Sequence, residues 1–375
     1  MRPLLPITSL LVAFACAPSP SDSAALDTAS DSDSRAPGGD ADDTGDADDT
    51  GDADDTGDAD DTDDTGDADD APPLELTFSE APIALPSGAL FTADIAYDDD
   101  PLTTFDVMLP DSEEPAPLVI FIHGGGFTGG DKATAYESHS DDITIALSAG
   151  AAYATVNYRL LEDVDSEGVS KPLGDSRRAL QFIRYHHASL NIDPDQIFLY
   201  GSSAGAGAAL WLGVHDDMAD PSASDPVERQ STRVQGVGLY GTQSTYDLFR
   251  WEEIFASYAL TLEDMIEIVS EQRLFSFYGV EDWEELESDA ILDYRADVDM
   301  LDLMDGDDAP IWISTANAEA LPEDTNGLYH HPYHAQAVML QAQAVGLEEV
   351  SDIPALGIES DGEDVLEFFY RHLAR

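Results

Sequence analysis

Cysteine occurs once in this 375-residue chain, at Cys16, and lysine only at Lys132 and Lys171. One cysteine excludes a disulfide framework and any thiolate-built zinc site, because each needs several sulfurs. Positive charge is equally short: 15 Lys and Arg stand against 78 Asp and Glu, a formal net charge of −63 at pH 7. Residues 21–71 contribute −20 of that (21 Asp against Arg35) and Arg2 one positive charge, so residues 72–375 keep −44. Such a field repels polyanions, disfavours nucleic acid as a partner and argues for neutral or cationic substrates. It is also the balance of a surface that stays hydrated in concentrated salt. Beyond the N-terminus no apolar run approaches the ~18 residues of a spanning helix.

Residues 1–16 read as an export signal: Arg2, an apolar core from Leu4 to Ala15, and the small-x-small pattern Ala13-Phe14-Ala15 before Cys16. This is the arrangement of lipoprotein processing, with Cys16 carrying the lipid, although Ala13 stands where Leu is usual. Export is expected, with a lipid anchor at the outer membrane or cell surface and plain secretion as the alternative. Residues 17–73 reduce to Asp, Ala, Thr, Gly and Ser, with the hexad Gly-Asp-Ala-Asp-Asp-Thr repeated from Gly45. Self-repelling carboxylates without apolar residues predict an extended, disordered tether. Asp46, Asp48 and Thr50 before Gly51 imitate the start of a calcium loop. The closing Glu and the flanking helices are missing, so loose counterion condensation is the better reading.

Residues 74–375 fit one α/β domain. The pattern gives antiparallel strands near Leu90–Tyr97 and Thr104–Leu109, then buried strands at Leu118, Ala152–Asn157, Ile197, Val234–Tyr240 and Ile311–Thr315. Helices are expected over Ser176–Ser189, Ala206–Val214, Tyr333–Val345 and Gly362–Leu373. Strand and helix in alternation mean a mainly parallel sheet, here of the eight-stranded type with helices on its faces. An aromatic and acidic insertion, about 241–308, reads as a helical cap. Most of its aromatics, among them Trp251, Phe255, Phe275 and Tyr278, are expected to pack its own small core.

Two glycine-rich motifs follow buried strands. Gly201-Ser202-Ser203-Ala204-Gly205 is a G-x-S-x-G turn between the Ile197 strand and a helix, a strained reversal that exposes a serine hydroxyl. Ser203 is the candidate nucleophile. Pro117–Ile122 ends in His123-Gly124-Gly125-Gly126, where glycines leave backbone N–H groups open to a developing oxyanion. No phosphate-loop Lys-Ser/Thr follows these glycines, so no nucleotide or other cofactor is expected.

On these two motifs the chain resembles the α/β-hydrolase fold and, within it, the HGGG-bearing esterases and lipases similar to hormone-sensitive lipase and related carboxylesterases, over about residues 75–375. The resemblance implies that Gly125, Gly126 and Ala204 supply the oxyanion-hole amides, while His123 orients the loop and is not the base. The elbow with Leu210-Trp211-Leu212 and the later His-His-Pro also looks like a group of bacterial hydrolases with an SAGAG elbow.

A serine needs a base, and this fold places it after the acid, near the C-terminus. The usual loop, Gly357–Glu363, contains no histidine. His372 sits in the terminal helix and reads as a helix-end residue. The cluster His330-His331-Pro332-Tyr333-His334 follows the Ile311 strand at the same sheet edge as Ser203. His331 and His330 are therefore the candidate bases, ahead of His334, and Glu319, Asp324 and Glu323 are the candidate acids. A metal set of His330, His331 and Asp324 or Glu323 lacks the spacing of a three-ligand site, so no metal is assigned. His186-His187 reads as surface or structural. The sequence thus predicts a serine hydrolase of small-molecule carboxylic esters. The alternative is a hydrolase-fold binding module with a vestigial elbow, since the usual histidine is missing.

Overall fold

The computed structural model describes residues 71–373. The export segment, Cys16 and the Asp-rich repeats lie outside the described residues. The strands are β1 (Leu90–Ala96), β2 (Thr104–Leu109), β3 (Ala116–Ile122), β4 (Ala152–Val156), β5 (Ile192–Ser202), β6 (Val237–Tyr240), β7 (Ile311–Ser314) and β8 (Glu349–Asp352). They form one sheet in the order β1-β2-β4-β3-β5-β6-β7-β8. The β1–β2 and β2–β4 pairs are antiparallel, and every later pair is parallel. This is the α/β-hydrolase fold.

Central strands are apolar throughout because helices cover both of their faces. In β3 every residue from Leu118 to Ile122 is buried, and so is all of β4. One core layer joins β3, β5 and β6 to the helices Ser170–Tyr185 and Ala204–Val214. The opposite layer packs Val119, Phe121, Phe198 and Tyr200 against Phe368 and Phe369 of the terminal helix Val365–His372. Burying a side chain of this size contributes about 1.5–3 kcal/mol.

The sequence pattern named seven strands and missed β8. Its residues, Glu-Val-Ser-Asp, carry charge at both ends, and Ser351 alone is buried. A short charged strand at a sheet edge has no apolar alternation to read, and the same charges guard the edge against further pairing.

The segment between β6 and β7 folds into short helices, among them Trp251–Ile254, Leu262–Val269, Glu271–Tyr278 and Asp289–Asp297. Their apolar faces form a separate cluster of Trp251, Phe255, Met265, Leu274, Phe275 and Tyr278. Leu328, beyond β7, completes that cluster. The insertion therefore packs its own core, as its aromatics predict, and also holds down the segment that leads to His330.

Candidate active site

Adjacent strands bring the two glycine motifs together. β3 pairs with β5 in parallel, and the register sets Ile122 opposite Gly201. The turns that follow, His123–Gly126 and Ser202–Gly205, therefore emerge side by side at the carboxyl edge of the sheet, where α/β folds place their sites. Ser203 has φ 53° and ψ −121°, a conformation that costs of order 1–3 kcal/mol in a residue other than glycine. Its amide donates to the Tyr240 carbonyl at 2.8 Å, and the helix Ala204–Val214 starts at once behind it. Gly205 must be glycine, because a Cβ there would stand 2.1 Å from the Ile122 carbonyl oxygen.

The HGGG turn is held from several sides. Tyr158 stacks on the His123 ring with centroids 4.2 Å apart and donates its hydroxyl to the His123 carbonyl at 2.7 Å. His123 Nδ1 contacts the Gly124 carbonyl at 2.7 Å, and burial lowers its pKa. Gly125 has φ +112°, with the Gly129 carbonyl oxygen 2.1 Å from where a Cβ would lie. Among the described residues the amides of Gly125 and Gly126 have no acceptor. The amide of Ala204 opens a helix, where the first N–H groups have no helical partner.

His330 Nε2 lies 2.6 Å from Ser203 Oγ. His330 caps the C-terminus of the short helix Thr325–Tyr329, and its Nδ1 lies 3.0 Å from Asn326 Oδ1, one helical turn back. Burial lowers the His330 pKa from its usual value, opposed by the Asn326 backbone carbonyl. The ring is therefore neutral near pH 7. With Nε2 accepting the serine proton, Nδ1 carries the ring hydrogen and donates it to Asn326.

The other candidates go elsewhere. His331 is buried and caps the helix Pro332–Val345, its Nδ1 accepting from the Tyr333 amide at 3.1 Å. Its Nε2 contacts the Ala320 carbonyl at 3.0 Å, so both ring nitrogens are engaged away from Ser203. His334 is also buried, between Ser244 Oγ at 3.0 Å and the Leu328 carbonyl at 3.2 Å. Glu319 accepts from the Tyr333 hydroxyl at 2.7 Å, and Asp324 caps the helix Thr325–Tyr329 through the Gly327 amide at 2.7 Å. Glu323 is exposed. None of the three carboxylates reaches His330; their side chains are committed to capping, to Tyr333 or to solvent. Asn326 carries no charge, so the acids of the sequence do not point to it. The readable signal was its i, i+4 spacing from His330 on a helix. His372 packs on Phe368 and lies 3.5 Å from Glu348 in the terminal helix.

Ser203 opens into a narrow cavity of about 40 Å³ whose walls include Phe127, Leu248, Trp251, Leu274 and Phe277. Four of these come from the insertion. The cavity can hold an apolar group beside a serine hydroxyl, a neutral imidazole and open backbone amides.

The BD-FAE family model matches residues 105–308, a span that contains both glycine motifs and ends before Asn326 and His330. The probable isoprenylcysteine alpha-carbonyl methylesterase of Arabidopsis thaliana is 28% identical over 171 residues, 44% of this chain and 33% of that protein. Gut esterase 1 of Caenorhabditis elegans is 32% identical over 124 residues, 31% of this chain and 22% of that protein. The chain thus spans a third or less of the length of these relatives. A truncated carbohydrate esterase from gut microbiota superposes with a TM-score of 0.53 at 17% identity, over 80% of this chain and 98% of that one.

Proposed function

From a chain that belongs to the BD-FAE family of esterase-type α/β hydrolases, we propose a serine hydrolase of carboxylic esters with Ser203 as nucleophile and His330 as base. The 2.6 Å contact between Ser203 Oγ and His330 Nε2 carries this reading. A neutral imidazole at that distance can take the hydroxyl proton as Oγ bonds to the ester carbonyl carbon. Negative charge then moves onto the carbonyl oxygen, toward the amides of Gly125, Gly126 and Ala204. The His330 imidazolium returns its proton to the leaving alcohol as the C–O bond breaks, giving an acyl-Ser203. Water, deprotonated by the same nitrogen, releases the acid and restores the serine. Asn326 keeps the Nδ1 hydrogen in place throughout.

The membrane reading is separate: processing at Cys16 would tether the catalytic domain to a bacterial surface through the acidic segment.

The test is labelling of the full chain by a fluorophosphonate probe, with Ser203→Ala and His330→Ala beside it. Labelling of the wild type that disappears in both variants is expected. A folded wild type that does not react would sink the mechanism in favour of the binding-module reading.

A further inference from the structure

Among the described residues Arg177, Arg184, Arg229 and Arg273 form no ion pair with a carboxylate, and of these Arg273 lines the space beside Ser203. Arg159, Arg178, Arg233, Arg250, Arg295 and Arg371 each pair with a carboxylate. Among the described residues no ion pair involves Arg273, although 78 Asp and Glu compete for 15 Lys and Arg. Its helix, Glu271–Tyr278, lies over the cavity, and its guanidinium lines the same space as Ser203. One Nη donates to the carbonyl of Gly126, and the side chain also meets Tyr329. A guanidinium carries five N–H donors in a planar fork that matches a carboxylate. These contacts leave most of the fork open inside a cavity that is otherwise mainly apolar.

We propose that Arg273 recognises a carboxylate on the substrate, so that the preferred esters are those whose acyl part is an apolar chain ending in a carboxylate. This rests on the reading of Ser203 as nucleophile. Leu248, Trp251, Leu274 and Phe277 surround the chain, and Arg273 takes its charged end in a low-dielectric setting, where a charge-assisted pair is stronger than in water. The acidic surface opposes this selectively. It repels anions at long range, while a cation at the site sets the preference among molecules that arrive. The general expectation of neutral or cationic substrates from net charge therefore does not extend to the cavity.

The experiment compares ethyl hexanoate with monoethyl adipate, matched in length and differing in a terminal carboxylate, by pH-stat titration of the full chain. Wild type is expected to favour monoethyl adipate by about tenfold in kcat/KM, chiefly through KM, the size of one charge-assisted contact. Arg273→Gln is expected to abolish or reverse that ratio, and Arg273→Lys to restore part of it. Equal loss on both esters in Arg273→Gln would make Arg273 a clamp on the Gly126 loop and overturn the proposal. So would a wild-type ratio near one with both esters hydrolysed, which leaves the serine mechanism standing. If Arg273→Gln does not fold, Arg273→Lys alone decides: an unchanged ratio with unchanged KM overturns the proposal. Hydrolysis of neither ester, together with no fluorophosphonate labelling, removes the mechanism and this inference with it.

Discussion

Asn326 Oδ1 stands 3.0 Å from His330 Nδ1, where a serine hydrolase ordinarily carries a carboxylate. An amide oxygen accepts the Nδ1 hydrogen and fixes the tautomer, yet it carries no charge to stabilise the imidazolium that the proposed acyl transfer would form. The imidazole is consequently a weaker base than one paired with an acid. Burial pushes its pKa further down.

The pH profile follows from that pair. As the proposed base His330 must be neutral to accept the serine proton, so activity is expected to fall as pH drops through its pKa, which burial lowers from the usual value. Asn326→Asp puts a carboxylate beside Nδ1 and raises that pKa, so the acidic limb of kcat/KM moves up by about one pH unit. Asn326→Ala leaves Nδ1 without an acceptor and lowers kcat about tenfold or more through loss of tautomer control. A limb that stays put in Asn326→Asp would show that Asn326 does not act on the imidazole.

His331 has a different fate. Its ring satisfies the Tyr333 amide and the Ala320 carbonyl, and it packs on Phe255 at 5.2 Å between centroids. His331→Ala is expected to lower stability by about 1–3 kcal/mol through a lost cap and lost buried hydrogen bonds. Fluorophosphonate labelling of the folded variant should persist, whereas His330→Ala loses it. Denaturant titration alongside the labelling checks both halves.

The two glycine motifs were legible because they obey steric rules that act locally. Gly205 and Gly125 sit where no side chain fits, and Ser203 is the residue a strained turn presents. The choice between His330 and His331 was not legible, since adjacent residues in a turn point in different directions. Only the cap packing on Leu328 and the Pro332 helix start decide which ring meets Ser203. β8 and Asn326 escaped for related reasons. One is an edge strand without apolar alternation, and the other is an uncharged residue whose role comes from a single contact across one helical turn.

The elbow glycine offers a direct test of the local packing. A Cβ on Gly205 would meet the Ile122 carbonyl at 2.1 Å and the His123 carbonyl at 2.6 Å, both rigid backbone atoms at the end of β3. Gly205→Ala must displace the strand end or the helix start, which costs about 1–3 kcal/mol as overpacking and shifts Ser203 relative to Gly125. The melting temperature and the labelling rate should fall together. A variant that melts lower but labels at the wild-type rate would separate elbow geometry from the serine's reactivity.

His334 makes the fold sensitive to acid through its burial. It is buried beneath the cap, its Nδ1 facing the Ser244 hydroxyl and its Nε2 the Leu328 carbonyl, and burial pushes its pKa down to about 3. In the unfolded chain the same ring titrates near its ordinary 6.5. Below that value the unfolded state binds the proton that the folded state refuses, so unfolding becomes easier with each step toward acid. The stability that the neutral ring gives is complete above about pH 6.5 and is lost progressively as pH falls toward 3, with a slope of up to about 1.4 kcal/mol per pH unit from this residue. His334→Gln keeps a hydrogen-bonding side chain without the titration. Its denaturation midpoint is expected to lie below the wild type's at pH 7 and to depend less on pH between 6.5 and 4. Parallel pH profiles for the two proteins would show that His334 takes up no proton on unfolding and would remove it from the acid sensitivity of the cap.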